Sequence, residues 1–399
     1  MMNAVGEPAT PDFYQYPWRP ITSCTLRDGF AIVAWADGVE LSCYCLWLAE
    51  NTYGIEAASR ESTLDPADLP DPAHLVHAAV GDSGDLVLRW GDGESSQVHP
   101  GWLRHVAEGQ HEARAFLPEL RPWTSATISA PPTVDGADVL SNDKTLREWL
   151  NLLCEFGMAR LTNARADEGL MGELAARIGP IRGSNFGDVF DVRTKAQPDS
   201  TANTALNLGQ HTDLPTRETP PGFQFLHCVE NEVAGGLSRL TDGLSVVAEL
   251  RENHPADYQA LTTLKWTFFN RSTFADHRWT GPIIDNTNSP YPLTLRAFYP
   301  VRGFPAMDNA DVPRAYEAMR TFSTIAHDPE FQISYPFAPG DLVGFDNRRV
   351  LHGRDSFDAG AGSRWLRGCY IDQDDAYSRL RILNRSEQER QATTTTPNL

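Results

Sequence analysis

The sequence predicts an α+β chain that is mainly β. It is divided into a small β-rich N-terminal domain (residues 1–115), a Pro-rich linker (116–142), a larger β-rich domain (143–385) and a polar tail (386–399). Three observations predict this. Strand-like segments outnumber helical ones. Few strands alternate one for one with helices, which argues against a doubly wound parallel sheet. Ten Trp and 18 Phe suit β-rich structure. The strands of the larger domain read as a distorted β-barrel or sandwich.

Taken in order, FAIVAWADG, ELSCYCLWL and DLVLRWGDG read as short strands, with Asp-Gly at 37–38 and 92–93 able to close hairpins. From Pro118 through Pro131 and Pro132 to Val139 the composition is that of a linker or strap. Leu146, Trp149, Leu150 and Leu153 have helical spacing, and Gly157 can end that helix. Leu170, Leu174 and Ile178 mark a second helix face. GLSVVAELREN is a third helix, stopped before Pro255, and PRAYEAMRTFSTIAH a fourth, with Pro313 in its first turn. FQFLHCV, PLTLRAFY, FQISYPF, DLVGFDN, RVLHG and WLRGCYID read as strands. The tail, SEQERQATTTTPNL, is polar and expected to fray.

With 34 Lys+Arg against 53 Asp+Glu, the formal charge is −19. Nucleic acid and anionic membranes would be repelled, so neither is an expected partner. No basic segment with a following apolar run marks a signal peptide, and no apolar stretch approaches the roughly 20 residues that span a bilayer. Cys24, Cys43, Cys45, Cys154, Cys228 and Cys369 are sparse and sit mostly among apolar residues. That fits a reduced, cytoplasmic protein better than a disulfide framework, with a mitochondrial location left open.

The chemistry-bearing residues stand in GQHTDLP and RVLHGRDSF. His211, Asp213 and His352 match the 2-His-1-carboxylate pattern that holds non-haem Fe(II) on one face and leaves positions open. His211 and Asp213 are two apart, so on a strand they point to the same side. His352 must then come from a distant strand. Twelve residues beyond it lies Arg364, whose guanidinium could clamp a carboxylate. A lone His-x-Asp is weak evidence. Here it coincides with a strand entering a loop, with His352 after a Pro-Gly-Asp turn and a strand, and with strand parity. Arg364, Leu366, Gly368 and Tyr370 would share the inward face, with Gly368 making room. Iron triad and downstream Arg are what an Fe(II)/2-oxoglutarate oxygenase needs. His227, alternating with Phe223 and Phe225, reads as a packed, hydrogen-bonded histidine. His74, His77, His99, His105 and His111 read as polar surface.

From about residue 141 to Arg385 the chain resembles the γ-butyrobetaine hydroxylase and trimethyllysine hydroxylase group of the taurine-dioxygenase-like superfamily. The match is carried by IGPIRGSNFGDVFDV (178–192), LGQHTDLPTRETPPGFQFLHCVENEVAGGLSRLTDG (208–243), PFAPGDLVGFDNRRVLHGRDSF (336–357) and SRWLRGCYIDQDDAYSRLRIL (363–383). WADG, CLWLAEN and the WGDG…GWL string are similar to that group's small N-terminal domain. The resemblance implies a double-stranded β-helix (jelly-roll), with Fe(II) on His211, Asp213 and His352. It also implies 2-oxoglutarate on the iron with its distal carboxylate at Arg364, and O2 at the remaining position. Hydroxylation of a small molecule, release of succinate and CO2, and a homodimer follow from the same resemblance. Asp213 favours hydroxylation, since relatives that halogenate carry a small residue there.

The sequence departs from the group in two places. The group's structural zinc uses a Cys cluster after a WLRDN string, but WLAENTYGIEA has no Cys. Cys43 and Cys45 precede it, and no structural zinc is predicted. The group also encloses a trimethylammonium in aromatic rings. Phe186, Phe190 and Tyr370 match cage positions, whereas Asn203 stands where a Tyr is usual. A quaternary-ammonium or betaine-like substrate, another amine, and an apolar substrate are all compatible with that pocket. γ-Butyrobetaine hydroxylation, desaturation or rearrangement at the same iron, and a catalytically silent 2-oxoglutarate sensor are the alternative readings.

Overall fold

The computed structural model describes residues 8–385 apart from 9, 53, 57, 70, 72–73, 195–200, 271–274 and 287–292. The tail expected over 386–399 lies outside the described residues. The chain divides into two compact units, one running to Phe116 and including Asn384 and Arg385, the other Leu117–Leu383.

In the first unit, β1 (Ile21–Arg27), β2 (Phe30–Trp35) and β3 (Glu40–Tyr44) form an antiparallel sheet, followed by α1 (Cys45–Glu50). A second sheet contains β4 (Leu75–Val80), β5 (Leu86–Trp90) and β6 (Ser95–Val98), and α2 (Pro100–Ala107) follows it. Gly38 and Gly93 take φ of +86° and +96° in the two Asp-Gly turns, as the sequence predicts. CLWL is helical, not the continuation of a strand, although Cys43 and Cys45 are both buried in this unit's core. His99 corrects the surface reading of the N-terminal histidines. It is buried, and its Nδ1 caps α2 by accepting from the Gly101 and Trp102 N–H groups at 3.1 and 3.3 Å.

The second unit opens with β7 (Thr133–Asp135), α3 (Asp143–Phe156), β8 (Met158–Thr162), α4 (Leu170–Ile178), β9 (Val189–Val192) and β10 (Leu208–His211). Next come β11 (Phe223–Asn231), β12 (Ser238–Asp242), α5 (Gly243–Asn253), α6 (Pro255–Thr263), β13 (Lys265–Phe269), β14 (Arg278–Gly281), β15 (Ile284–Asp285), β16 (Thr294–Leu295) and β17 (Arg302–Ala306). It closes with α7 (Val312–His327), β18 (Gln332–Tyr335), β19 (Leu342–Asp346), β20 (Val350–Arg354), β21 (Arg364–Ile371) and α8 (Gln373–Asn384).

Two sheets organise this unit. One has strand order β7-β8-β19-β11-β21-β9, the other β10-β20-β12-β18. Every pair in them is antiparallel except β7 with β8. Cys228, Leu240, Ile333, Val343, Val350 and Leu366 form one buried cluster drawn from both sheets. Parity decides which side each residue serves. Along β21, Leu366 joins that cluster, while Cys369 and Ile371 pack with α3, α4 and α8. The α3 face is the one predicted, ended by Gly157 at φ +74°.

The Pro-rich stretch is not a linker. It supplies β7 to the six-stranded sheet and Trp123, 1% exposed, to the cluster between the sheets. The Trp123 N–H donates to Asp242 Oδ2, and its ring N–H donates to the Phe156 carbonyl. Those bonds and the buried indole hold the stretch in place. PLTLRAFY keeps only Thr294–Leu295 as strand.

Candidate active site

β10 and β20 are neighbours, and their register sets His211 directly opposite His352. The rings lie 4.1 Å apart between centroids, with Phe298 against His211 at 4.9 Å and Phe345 against His352 at 4.6 Å. β10 ends at His211, so Asp213 lies just beyond the strand, not on it. It still reaches both imidazoles: Oδ1 is 3.3 Å from His211 Nε2 and 3.8 Å from His352 Nε2. Donors about 2.1 Å from a common ion and at right angles would lie about 3 Å apart, close to what is seen. Among the described residues this is the group of His, Cys, Asp or Glu side chains whose ligand atoms converge, all within 4.8 Å.

The backbone of Asp213 is pinned. Asn347, fully buried after β19, accepts from the Asp213 N–H at 2.6 Å and donates to its carbonyl at 3.1 Å. Leu214 follows in the left-handed region at φ +53°, a conformation that the surrounding bonds must enforce. The carboxylate is pinned as well, by the Tyr370 hydroxyl donating to Oδ2 at 2.7 Å. Burial alone would raise the Asp213 carboxyl. Hydrogen bonding to His211, the electrostatic pull of His352 and His211, and the Tyr370 hydroxyl overcome it and hold the group well below the usual carboxylate range. Burial and His211 push the His352 imidazole down to about 3, so its nitrogen is unprotonated at neutral pH. Burial and Asp213 drive Tyr370 the other way, keeping its proton on the phenol. An ionised carboxylate and unprotonated His352 fit a divalent iron ion.

Arg364 opens β21, and its side chain is enclosed, the residue being 6% exposed. Its Nε has no hydrogen-bond partner, and no carboxylate pairs with it among the described residues. Its guanidinium stacks on Phe357 at 5.3 Å, and Arg354 stacks on the same ring at 4.9 Å. A buried cation without an anion is costly. The site therefore fits an anionic group from outside the chain, the role the sequence predicts for this residue.

Phe186, Phe190 and Tyr370 form a row. The ring centroids are 5.8 Å apart for Phe186–Phe190 and 5.2 Å for Phe190–Tyr370. Gly368 sits opposite Phe190 in the β9–β21 register, and a Cβ there would come within 2.5 Å of that ring. The row runs from half-exposed Phe186 to buried Tyr370, which touches Asp213. Asn203 is buried in the turn Thr201–Asn203. Arg354 fixes that segment by donating to the carbonyls of Ala202, Thr204 and Leu206. His227 is buried on β11 and burial lowers its basicity; it stands apart from the triad cluster.

The taurine catabolism dioxygenase TauD, TfdA family model matches residues 119–370. The chain is 38% identical to the γ-butyrobetaine dioxygenase of Pseudomonas sp. (strain AK-1), over 94% of this chain and all of that one. The chain belongs to this family. It is also 29% identical to the Homo sapiens γ-butyrobetaine dioxygenase, over 90% of this chain and 98% of the relative. Identity with the mitochondrial trimethyllysine dioxygenase of Mus musculus is 30%, over 82% and 78%. Among solved structures, AAD-2 in complex with Mn(II) and N-oxalylglycine aligns with a TM-score of 0.50 at 17% identity, over 63% of this chain and 97% of that one, a likeness of fold. This family member is a dioxygenase, and no helix among its described residues is long and apolar enough to cross a membrane.

The sequence reading missed Asn347, Arg354, Phe357 and Phe298. Asn347 lies in the string FDN immediately after a strand, where an Asn commonly bonds nearby backbone. The other three become legible only when the fold brings distant segments together.

Proposed function

We propose that this dioxygenase hydroxylates a C–H bond of a small quaternary-ammonium substrate, using Fe(II), 2-oxoglutarate and O2 and releasing succinate and CO2. One observation carries the reading. The aromatic row Phe186–Phe190–Tyr370 ends in a hydrogen bond on the carboxylate of the metal-ligand cluster. Ring faces attract a desolvated cation, so a trimethylammonium group held there keeps the rest of the substrate close to the metal donors. The likeness to γ-butyrobetaine and trimethyllysine dioxygenases supports the same class.

His211, Asp213 and His352 would hold the iron, and Arg364 the distal carboxylate of 2-oxoglutarate. When bound, the iron and its co-substrate supply the oxidising power for C–H cleavage. The chain's own residues do the rest. Tyr370 and Asn347 fix the carboxylate's direction, so that it need not reorganise as ligands arrive. Phe357 lies against both Arg364 and Arg354, giving each guanidinium an apolar neighbour. The two sheets with apolar side chains between them read as a double-stranded β-helix, whose interior excludes water from the reacting carbon. The six free cysteines suit a reducing compartment.

The test is succinate formation by the iron-loaded protein with 2-oxoglutarate, ascorbate and O2. γ-Butyrobetaine, trimethyllysine, other quaternary ammonium compounds and uncharged amino acids are added in turn. Strong stimulation by a trimethylammonium compound is expected. Stimulation by non-quaternary compounds alone would mean that Asn203 marks a rebuilt pocket, and would overturn the cation assignment.

A further inference from the structure

β10 is not regular. Leu208 pairs with Arg354 and His211 with His352, so Gly209 and Gln210 together stand opposite Gly353 alone. Two residues against one is a β-bulge, which re-aims the side chain that follows it. That side chain is His211. The bulge turns the Gly209 carbonyl toward the His211 ring, whose Nδ1 lies 2.9 Å from it. With Nδ1–H donating there, Nε2 is the nitrogen left to face Asp213.

The bulge leaves the Gln210 N–H without a ladder partner on β20. That hydrogen bond is instead accepted by His327 Nε2, at 3.2 Å, from the last residue of α7. The other ring nitrogen, Nδ1, donates to the Ser323 carbonyl at 2.7 Å, one turn back, which fixes the tautomer that lets Nε2 accept. The Gln210 side chain is tied to the same helix end. Its Nε2 donates to Thr241 Oγ1 at 2.6 Å, and Thr241 donates to the Ala326 carbonyl at 2.9 Å. The two glycines are explained by the same geometry. A Cβ on Gly209 would lie 3.2 Å from His327 Nε2, and one on Gly353 would lie 2.6 Å from Gln210 Oε1.

We propose that His327 is a positioning residue: by accepting the Gln210 N–H it holds the β10 bulge that aims and orients His211 as a metal ligand. The proposal rests on the reading of His211 as a ligand. A relay runs from α7 through the bulge to the metal donor, and His327 is not among the side chains whose ligand atoms converge with that of His211. His327 lies at the exposed end of a helix, beside a cavity of about 310 Å³ also lined by Phe298, Tyr299 and His211. Replacing it therefore opens no core void.

The test uses the full-length chain and Co(II) as probe, with affinity and the ligand-field absorption spectrum as readouts. His327→Ala should weaken Co(II) binding by about 10-fold, the lower end of the cost of losing a ligand's outer partner, because His327 acts on His211 through the bulge. It should also alter the spectrum, with little change in the melting temperature of the metal-free protein. His327→Gln, whose Oε1 can accept the same N–H, should restore both. Gly209→Ala, which crowds His327, should reproduce the loss. Wild-type Co(II) affinity and spectrum in His327→Ala would overturn the proposal, as would a lowered melting temperature with unchanged metal binding. His211→Ala is the reference. If it loses Co(II) while His327→Ala does not, only the positioning role falls. If it keeps Co(II), the ligand reading falls and the positioning role with it.

Discussion

Arg364 is a buried guanidinium with no anion beside it among the described residues, and its replacement has opposite expected effects on binding and stability. Arg364→Met should raise the KM for 2-oxoglutarate by about 30-fold or more, the loss that follows when one partner of a buried charge pair is removed. The same variant, free of co-substrate, should be as stable as wild type or more so, because an unpaired buried charge is gone. Steady-state kinetics and urea denaturation of one preparation measure both, and a loss of stability without a change in KM would contradict the assignment. The thiols give a second test. Burial pushes Cys43, Cys228 and Cys369 up to about 12, Cys228 despite neighbouring Arg364. At pH 8 these groups are therefore protonated, and the thiolate is the reactive form. Native protein treated with iodoacetamide at that pH should leave all three unlabelled by mass spectrometry, with labelling appearing on unfolding. At this scale the convergence of His211, Asp213 and His352 was legible because their residue types and spacing carry the chemistry. His99 was not. Nothing local distinguishes a surface histidine from one that caps a buried helix end.

Elements explain why the donors converge. α3 lays Leu146, Trp149, Leu150 and Leu153 against the six-stranded sheet, and the Trp149 ring meets Phe225 of β11 at 5.3 Å. Trp149→Ala should cost about 3–5 kcal/mol in urea unfolding, as for other fully buried aromatic truncations. A cost below about 1 kcal/mol would mean that the helix does not pack as described. The loop between Asp213 and β11 is held by arginines on its carbonyls. Arg296 bonds those of Pro215, Arg217 and Glu218, Arg182 that of Thr219, and Arg348 that of Pro220. Arg296→Met should leave those carbonyls unpaired and loosen Asp213. Faster hydrogen exchange across residues 213–219 with weaker metal binding is expected, and unchanged exchange would contradict it. The helices α3, α4 and α7 were legible because a strong apolar period and a Gly or Pro boundary coincide, and α5 because its residues stop before Pro255. α6 lacks a clear apolar stripe, and tertiary packing decides it; α8 buries Ala376, Tyr377, Leu380 and Leu383 at helical spacing, a signal the sequence reading did not use. The Pro-rich stretch misled for a related reason, since proline content reports local stiffness and not whether Trp123 finds a buried site.

For the whole molecule, the two-sheet arrangement accounts for a site assembled from residues far apart in sequence. The β10–β20 pairing joins His211 to His352, and the β21 register carries Arg364 at one end of a strand and Tyr370 at the other. The strand and the helix layers were broadly readable; the order of the strands was not, because order is a property of long-range pairing. The formal charge of −19 raises the local concentration of a compound with net positive charge, such as trimethyllysine, whereas zwitterionic γ-butyrobetaine has no net charge to be steered. Raising ionic strength should therefore lower kcat/KM for trimethyllysine more than for γ-butyrobetaine.

The most direct measurement is succinate released by the iron-loaded chain with γ-butyrobetaine, with the hydroxylated product counted in the same reaction and His211→Ala run alongside. Succinate and hydroxylated product in matching amounts, both abolished in His211→Ala, are predicted. Full turnover by His211→Ala, or no succinate with iron bound and any trimethylammonium compound present, would contradict the account.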